Sequence, residues 1–180
     1  MFELKISNFS RAIQLSQQWA THTVSLLDPD FKENSILPLP ETTPERQIRR
    51  YYFHDISKLP TSALKERFPN AQIATIEQLK DILEFTAPLQ STDKLLVHCH
   101  AGISRSTAVA CGILCQHGLT PQEASKLIFS IRPHAFPNQY ILSLFDKLFG
   151  LDDSLVTTVF HEMRKVDHEN MQQSLVTEFF

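Results

Sequence analysis

Phe2, Leu4 and Ile6 alternate with polar residues at the start of the chain. A period of two is the mark of a half-buried strand, so residues 2–6 are predicted to form one. Residues 10–19 read as a helix, and the β-rich run Thr23 to Leu27 as a second strand. Gln47 to His54 contains Ile48, Tyr51, Tyr52 and Phe53 and reads as a third strand, ending at Asp55. Thr75, followed three residues later by Gln78, is a capping box that opens an amphipathic helix to about Phe85. Leu95, Leu96 and Val97 form a short apolar run with polar residues on both sides, the pattern of a buried parallel strand.

The pattern then changes. The polar stretch HCHAGISRS runs into STAVACGILCQ, which is apolar nearly all round and predicts a buried central helix. Gly118 can end that helix in the left-handed conformation. Thr120, Pro121 and Glu123 make a second capping box with proline at the first helical position. Asn138 can cap a further helix that stops near Gly150, and Asp152 or Ser154 starts a last one to about Val166. The stretch from Asp167 to Phe180 fits either a short helix or a mobile end. Asp28 to Glu45, with four prolines, is the most loop-like segment and joins two pieces of one domain. Strands alternating with helices, then helices alone, predict a single α/β domain. Its central, mainly parallel sheet would be flanked by helices, with a helical C-terminal half. Residues 1–166 would form the domain and residues 167–180 its tail.

Composition narrows the function. The 180 residues are 42% hydrophobic and 21% charged, close to globular averages. A net charge of -3 and a pI near 6.2 argue against a nucleic-acid protein held by phosphate charge. There are four glycines and no Rossmann or Walker pattern. Three cysteines, an odd number within a short span, imply no disulfide framework. The N-terminus lacks a secretory core and no run reaches the length of a membrane span, so a cytoplasmic location is expected. Signal-independent export would leave no trace in the sequence.

The chemistry centres on Cys99-x5-Arg105, with Gly102 between them. A strand ends at His98 and a buried helix begins inside the loop, so the loop lies beyond the carboxyl end of a strand, where open α/β sheets bind ligands. A five-residue loop can curl with its N–H groups inward, and a helix N-terminus behind it makes an anion cradle. The same field favours a thiolate at Cys99. Arg105 supplies a planar fork that matches two phosphate oxygens. Gly102 permits the turn. Ser106, in the first helical turn, can donate to the sulfur. Nucleophile, cradle and cation together point to phosphoryl transfer onto cysteine.

His98-Cys99-x-x-Gly102-x-Ser104-Arg105-Ser106 resembles the signature of the cysteine-dependent tyrosine and dual-specificity phosphatases. LLVHCHAGISRSTAVA, the segment Phe53-His54-Asp55-Ile56 and RPHAFPNQYILSLFDKLFG are similar to small proteobacterial tyrosine-phosphatase-like proteins. The resemblance implies a phosphotyrosine-protein-phosphatase-like fold and a metal-independent phosphatase without cofactor. Its substrate would be a phosphorylated protein or a small phosphate ester. Cys99 would attack phosphorus. Arg105 and the amides of His100, Ala101, Gly102, Ile103 and Ser104 would hold the equatorial oxygens. Ser106 would help release the thiolate. His98 would order the loop by hydrogen bonding, and Asn138 lies near it. The general acid of the family is an aspartate after an upstream strand, a place that Asp55 fits. Asp81 falls in a helix, Asp93 at the wrong end of the Cys99 strand, and Asp28 leads into the proline-rich loop.

Other readings stand beside these. Cys111 and Cys115, one helical turn apart, are either small core residues or partners for an oxidised Cys99. His98-Cys99-His100 lacks a second ligand pair at zinc spacing, so no metal site is expected. Arg49 and Arg50 read as solvated strand charges. The alternatives to a protein phosphatase are a phosphatase of phosphoinositides or other small esters, a non-catalytic phosphate-binding module, and a sulfurtransferase. His100, Ala101 and Ile103 put no lysine in the loop, which makes a multiply charged head group less attractive.

Overall fold

The apolar run at 95–97 lies at the centre of the sheet. A computed structural model describes residues 1–31, 41–57 and 70–177. Residues 32–40 of the proline-rich connection lie outside them. Among the described residues there are four strands: β1 (Glu3–Ser7), β2 (His22–Leu27), β3 (Gln47–Tyr52) and β4 (Lys94–His98). They are ordered β1-β4-β2-β3, and every pairing is parallel. In register, His98 stands opposite Ser7 on one side and Ser25 on the other. A strand with neighbours on both edges and helices on both faces must be apolar throughout, and Leu95, Leu96 and Val97 are fully buried.

Strand alternation sends successive residues of β4 to opposite layers. Leu96 packs with Ala12 and Ala20, under α1 (Phe9–Gln18). Leu95, Val97 and Cys99 join the larger core on the other face. That core is shared by five helices: α2 (Ile76–Thr86), α3 (Arg105–Gln116), α4 (Pro121–Ile131), α5 (Gln139–Phe149) and α6 (Ser154–Thr177). Residues 105–114 of α3 are all buried, as its all-round apolar sequence requires. The ring of Phe145 from α5 lies so close to α3 that a Cβ on Gly112 would come within 2.5 Å of it.

The caps explain where helices begin. Both predicted capping boxes form, Thr75 with Gln78 and Thr120 with Glu123. Asn138 accepts from the Ile141 N–H at 3.0 Å, and Gly150 closes the same helix with φ at +64°. Asn8 caps α1 through the Arg11 N–H at 2.9 Å. The start of α6 is capped from a distance: the buried carboxylate of Asp146 accepts from Leu155 and Val156 N–H at 2.8 and 3.0 Å.

Two boundaries differ from the sequence reading by more than one residue. β3 stops at Tyr52 rather than His54, because the Phe53 carbonyl turns out of the ladder to accept from Arg105 Nη1 at 2.7 Å. α6 continues past Val166 to Thr177 in one piece, with no glycine or proline to interrupt it. Among the described residues no helix is long and apolar enough to cross a membrane.

Candidate active site

Parallel strands bring all their carboxyl ends to one edge, and the chain places chemistry at each. Asn8 lies just beyond β1, Asp28 beyond β2, Phe53 to Asp55 beyond β3, and Cys99 beyond β4. Cys99 is 1% exposed and sits at the floor of the loop. Its Sγ accepts from the Gly102 N–H at 3.2 Å and lies 3.3 Å from Ser106 Oγ.

The loop is held open from outside. The His100 carbonyl accepts from the Phe9 N–H at 3.0 Å. Arg132, at the end of α4, donates from Nε to the Gly102 carbonyl at 3.1 Å and from Nη2 to the Ala101 carbonyl at 3.5 Å. The Ile103 carbonyl takes the Phe136 N–H at 3.0 Å, and the Ser104 carbonyl takes the Asn138 N–H at 3.2 Å. Five successive carbonyls are thus drawn outward. A peptide whose C=O points out turns its N–H in, so the amide dipoles converge on the space above Cys99.

Gly102 is fixed there by two constraints. Its φ is +71°, and a Cβ would lie 2.5 Å from the Ser7 carbonyl group. Ser104 precedes α3, where a serine side chain ordinarily accepts a first-turn N–H. Here it makes no such bond. Its Oγ donates instead to Asp55 Oδ1 at 2.7 Å, so the helix N-terminus carries no side-chain cap and its field remains available to an anion.

Arg105 is buried at 2% exposure. Nη1 donates to the Phe53 carbonyl at 2.7 Å and to Asp28 Oδ1 at 3.0 Å. Nε lies 3.8 Å from Asp55 Oδ2 and has no hydrogen-bond partner among the described residues. Asp55 Oδ1 also accepts from Asn138 Nδ2 at 2.7 Å. Asn138 therefore does three things: it caps α5, ties the loop backbone and holds Asp55.

His98 is buried behind the loop, with its ring 6.0 Å from that of Phe9. Burial pushes its pKa down to about 4; the charges of Arg50 and Arg105 push the same way, and a backbone hydrogen bond at Cys99 opposes them. It is neutral at physiological pH. Burial pushes the Cys111 thiol up, and that of Cys115 up to about 11, so neither is a ready thiolate.

The structure thus brings Cys99, Gly102, Ser104, Arg105, Ser106, Asp55 and Asn138 to one point. Two residues outside the sequence expectation join them. Asp28 had its signal in standing directly after a strand, as Cys99 does; Arg132, whose side chain binds loop carbonyls, had none. Chemically, a sulfur nucleophile lies beneath converging amides, a guanidinium and a carboxylate. That arrangement can bind a tetrahedral oxyanion and attack its central atom.

Comparison with known proteins agrees. The family model described as dual specificity phosphatase, catalytic domain, matches residues 33–147. No curated protein sequence matches the chain. Among solved structures, human DUSP28 is similar at 23% identity and TM-score 0.57, covering 80% of this chain and 89% of its own. The Yvh1 phosphatase domain from Chaetomium thermophilum is similar at 18% identity and TM-score 0.57, covering 86% and 95%. PTPMT1, solved in complex with PI(5)P, is similar at 17% identity and TM-score 0.53, covering 93% and 94%.

Proposed function

The chain belongs to the dual specificity phosphatase catalytic-domain family, and from that premise we propose that it hydrolyses phosphotyrosine, and with it phosphoserine and phosphothreonine, through a cysteinyl-phosphate intermediate. The observation that carries the reading is the floor of the loop. Cys99 Sγ accepts an amide N–H at 3.2 Å in a site that also holds a buried guanidinium whose Nε has no hydrogen-bond partner among the described residues. A buried charged donor left unmade is costly, and a phosphate oxygen supplies what it lacks.

In the first step a lone pair on Cys99 Sγ attacks phosphorus. The S–P bond forms, the ester P–O bond breaks, and the leaving oxygen takes a proton from Asp55. Asp55 Oδ1 already accepts from Ser104 and Asn138, which leaves Oδ2 as the oxygen to carry that proton. The loop amides and Arg105 carry the charge that builds on the equatorial oxygens. In the second step water attacks the phosphocysteine and gives its proton to Asp55. The S–P bond breaks, the electron pair returns to sulfur, and Ser106 Oγ–H donates to it. No step calls on a metal or cofactor.

Phosphoinositides are the competing substrate class, since PTPMT1 was solved with one. The loop side chains here are His100, Ala101 and Ile103, and Asp28 and Asp55 stand at the rim, a poor match for extra phosphates. The test is hydrolysis of a phosphotyrosine peptide in the presence of a chelator, wild type against Cys99→Ser. Chelator-resistant turnover that vanishes in the variant is expected. Turnover of inositol phosphates with none of the peptide would overturn the substrate assignment, and full activity of Cys99→Ser would overturn the mechanism.

A further inference from the structure

We infer that Asp28 is a positioning residue of this site: it fixes the Arg105 fork so that one chosen edge of the guanidinium meets the phosphate. The inference rests on the phosphate-binding reading above. A guanidinium offers five N–H donors, two of them on Nη1. Both Nη1 donors are spent, one on the Phe53 carbonyl at 2.7 Å and one on Asp28 Oδ1 at 3.0 Å. Those acceptors come from the ends of two neighbouring strands, held together by the Phe53 N–H donating to the Leu27 carbonyl at 3.0 Å. Arg105 is thus tethered at two points to one rigid sheet edge. Nε makes no hydrogen bond among the described residues and stands 3.8 Å from Asp55 Oδ2, so it is the donor left for a phosphate oxygen.

The location of Asp28 supports a functional reading over a structural one. Its side chain is 41% exposed, so the pair is no buried element of the core. Its negative charge stands next to the group that must receive a dianion, which works against substrate binding. A carboxylate kept in that place contributes through geometry: without it a long, flexible side chain has one tether and can rotate its fork away from the cradle.

The experiment compares Asp28→Ala and Asp28→Asn in the full chain. Asparagine keeps an oxygen for Nη1 and loses the charge; alanine loses both. Tungstate binding by titration calorimetry reads the cradle without turnover, and kcat and KM are taken with an aryl phosphate. Asp28→Ala should weaken tungstate about tenfold, as for one misplaced hydrogen bond, and lower kcat/KM on the order of 10²-fold. Asp28→Asn should recover most of both losses. The urea midpoint should be the same for both variants. Unchanged tungstate affinity in Asp28→Ala, an Asp28→Asn loss equal to that of Asp28→Ala, or loss of the fold in Asp28→Ala would each overturn the inference. If the wild type hydrolyses no phosphate ester, the enzymatic reading fails while the tungstate comparison still decides the role of Asp28.

Discussion

Replacing Gly102 with alanine tests the tightest contact of the site. An added Cβ would lie 2.5 Å from both the carbonyl carbon and oxygen of Ser7 and 2.7 Å from the Asn8 nitrogen. All three are main-chain atoms and cannot swing away. Ser7 is paired with His98 at the end of β1, and the Phe9 N–H is bonded to the His100 carbonyl at 3.0 Å, so strand end and loop are clamped to each other on both sides of the clash. The φ of +71° adds a left-handed penalty of about 1–2 kcal/mol for an L side chain. Overpacking adds about 1–3 kcal/mol, which makes a total of about 2–5 kcal/mol. Relief by loop movement would take the Gly102 N–H off Cys99 and its carbonyl off Arg132. The expected result is a urea-unfolding loss of that size together with a fall in kcat/KM of roughly 10²–10³-fold, as for loss of an oxyanion donor. Gly118→Ala is the control: its φ is +92° with open space around the would-be Cβ, so it should lose only the conformational part, about 1–2 kcal/mol, and keep full activity. A stability loss under about 1 kcal/mol for Gly102→Ala, with kcat/KM unchanged, would refute the close-packed loop.

Asn138→Asp keeps an oxygen for the Ile141 N–H but sets a second carboxylate against Asp55, where Asn138 Nδ2 now donates at 2.7 Å. Repulsion favours the protonated form of the pair, so the alkaline limb of the pH–rate profile should move to higher pH while kcat falls on the order of 10²-fold; an unmoved limb would separate Asn138 from the acid. His98 has its folded pKa depressed to about 4 from 6.5. The unfolded chain therefore binds the proton first as pH falls. This contribution to stability is full above pH 6.5 and is lost progressively as pH falls to about 4, for a total near 3 kcal/mol. The fall in unfolding free energy from pH 7 to pH 4.5 should be smaller for His98→Gln than for wild type, and an equal fall would refute the assignment.

Local rules made most elements legible. The capping boxes at Thr75 and Thr120, the Asn138 cap and the apolar run at 95–97 each lie within a few residues of what they determine. Cys99 was placed by the same logic, a polar loop between a buried strand and a buried helix. What stayed hidden depends on residues far apart in the chain. Asp28 and Arg105 are 77 residues apart, and Asp55 and Asn138 are 83. Ser104 was read only as a loop amide, whereas its hydroxyl reaches Asp55, 49 residues away in the chain. Gly102 was read as a turn residue, whereas the stricter requirement comes from Ser7 on another strand. The sequence pattern ended α6 near Val166 and left the stretch after it open between helix and mobile end, whereas the helix runs on to Thr177, and its start is set by Asp146 on the preceding helix.

The division of labour in the loop explains why so short a signature suffices. Beside the guanidinium of Arg105, the positive field that faces an incoming anion comes from main-chain amides, which any residue but proline supplies. In the proposed mechanism Cys99, Gly102, Arg105 and Ser106 need particular side chains inside it, for nucleophile, space, fork and donor, and Ser104 adds the hydroxyl that reaches Asp55. The direction of the amides is set from behind, by Phe9 on α1, by Arg132 at the end of α4, and by Phe136 and Asn138 ahead of α5. Three of these four anchors act through a backbone N–H, so the anchoring bond itself asks nothing of their side chains, although that of Asn138 is held by its cap and by Asp55. Arg132 is the exception, since its side chain makes the bond. The loop is therefore rigid because the helices pack, and a core substitution that shifts α4 or α5 reaches the chemistry through those carbonyls without touching the substrate.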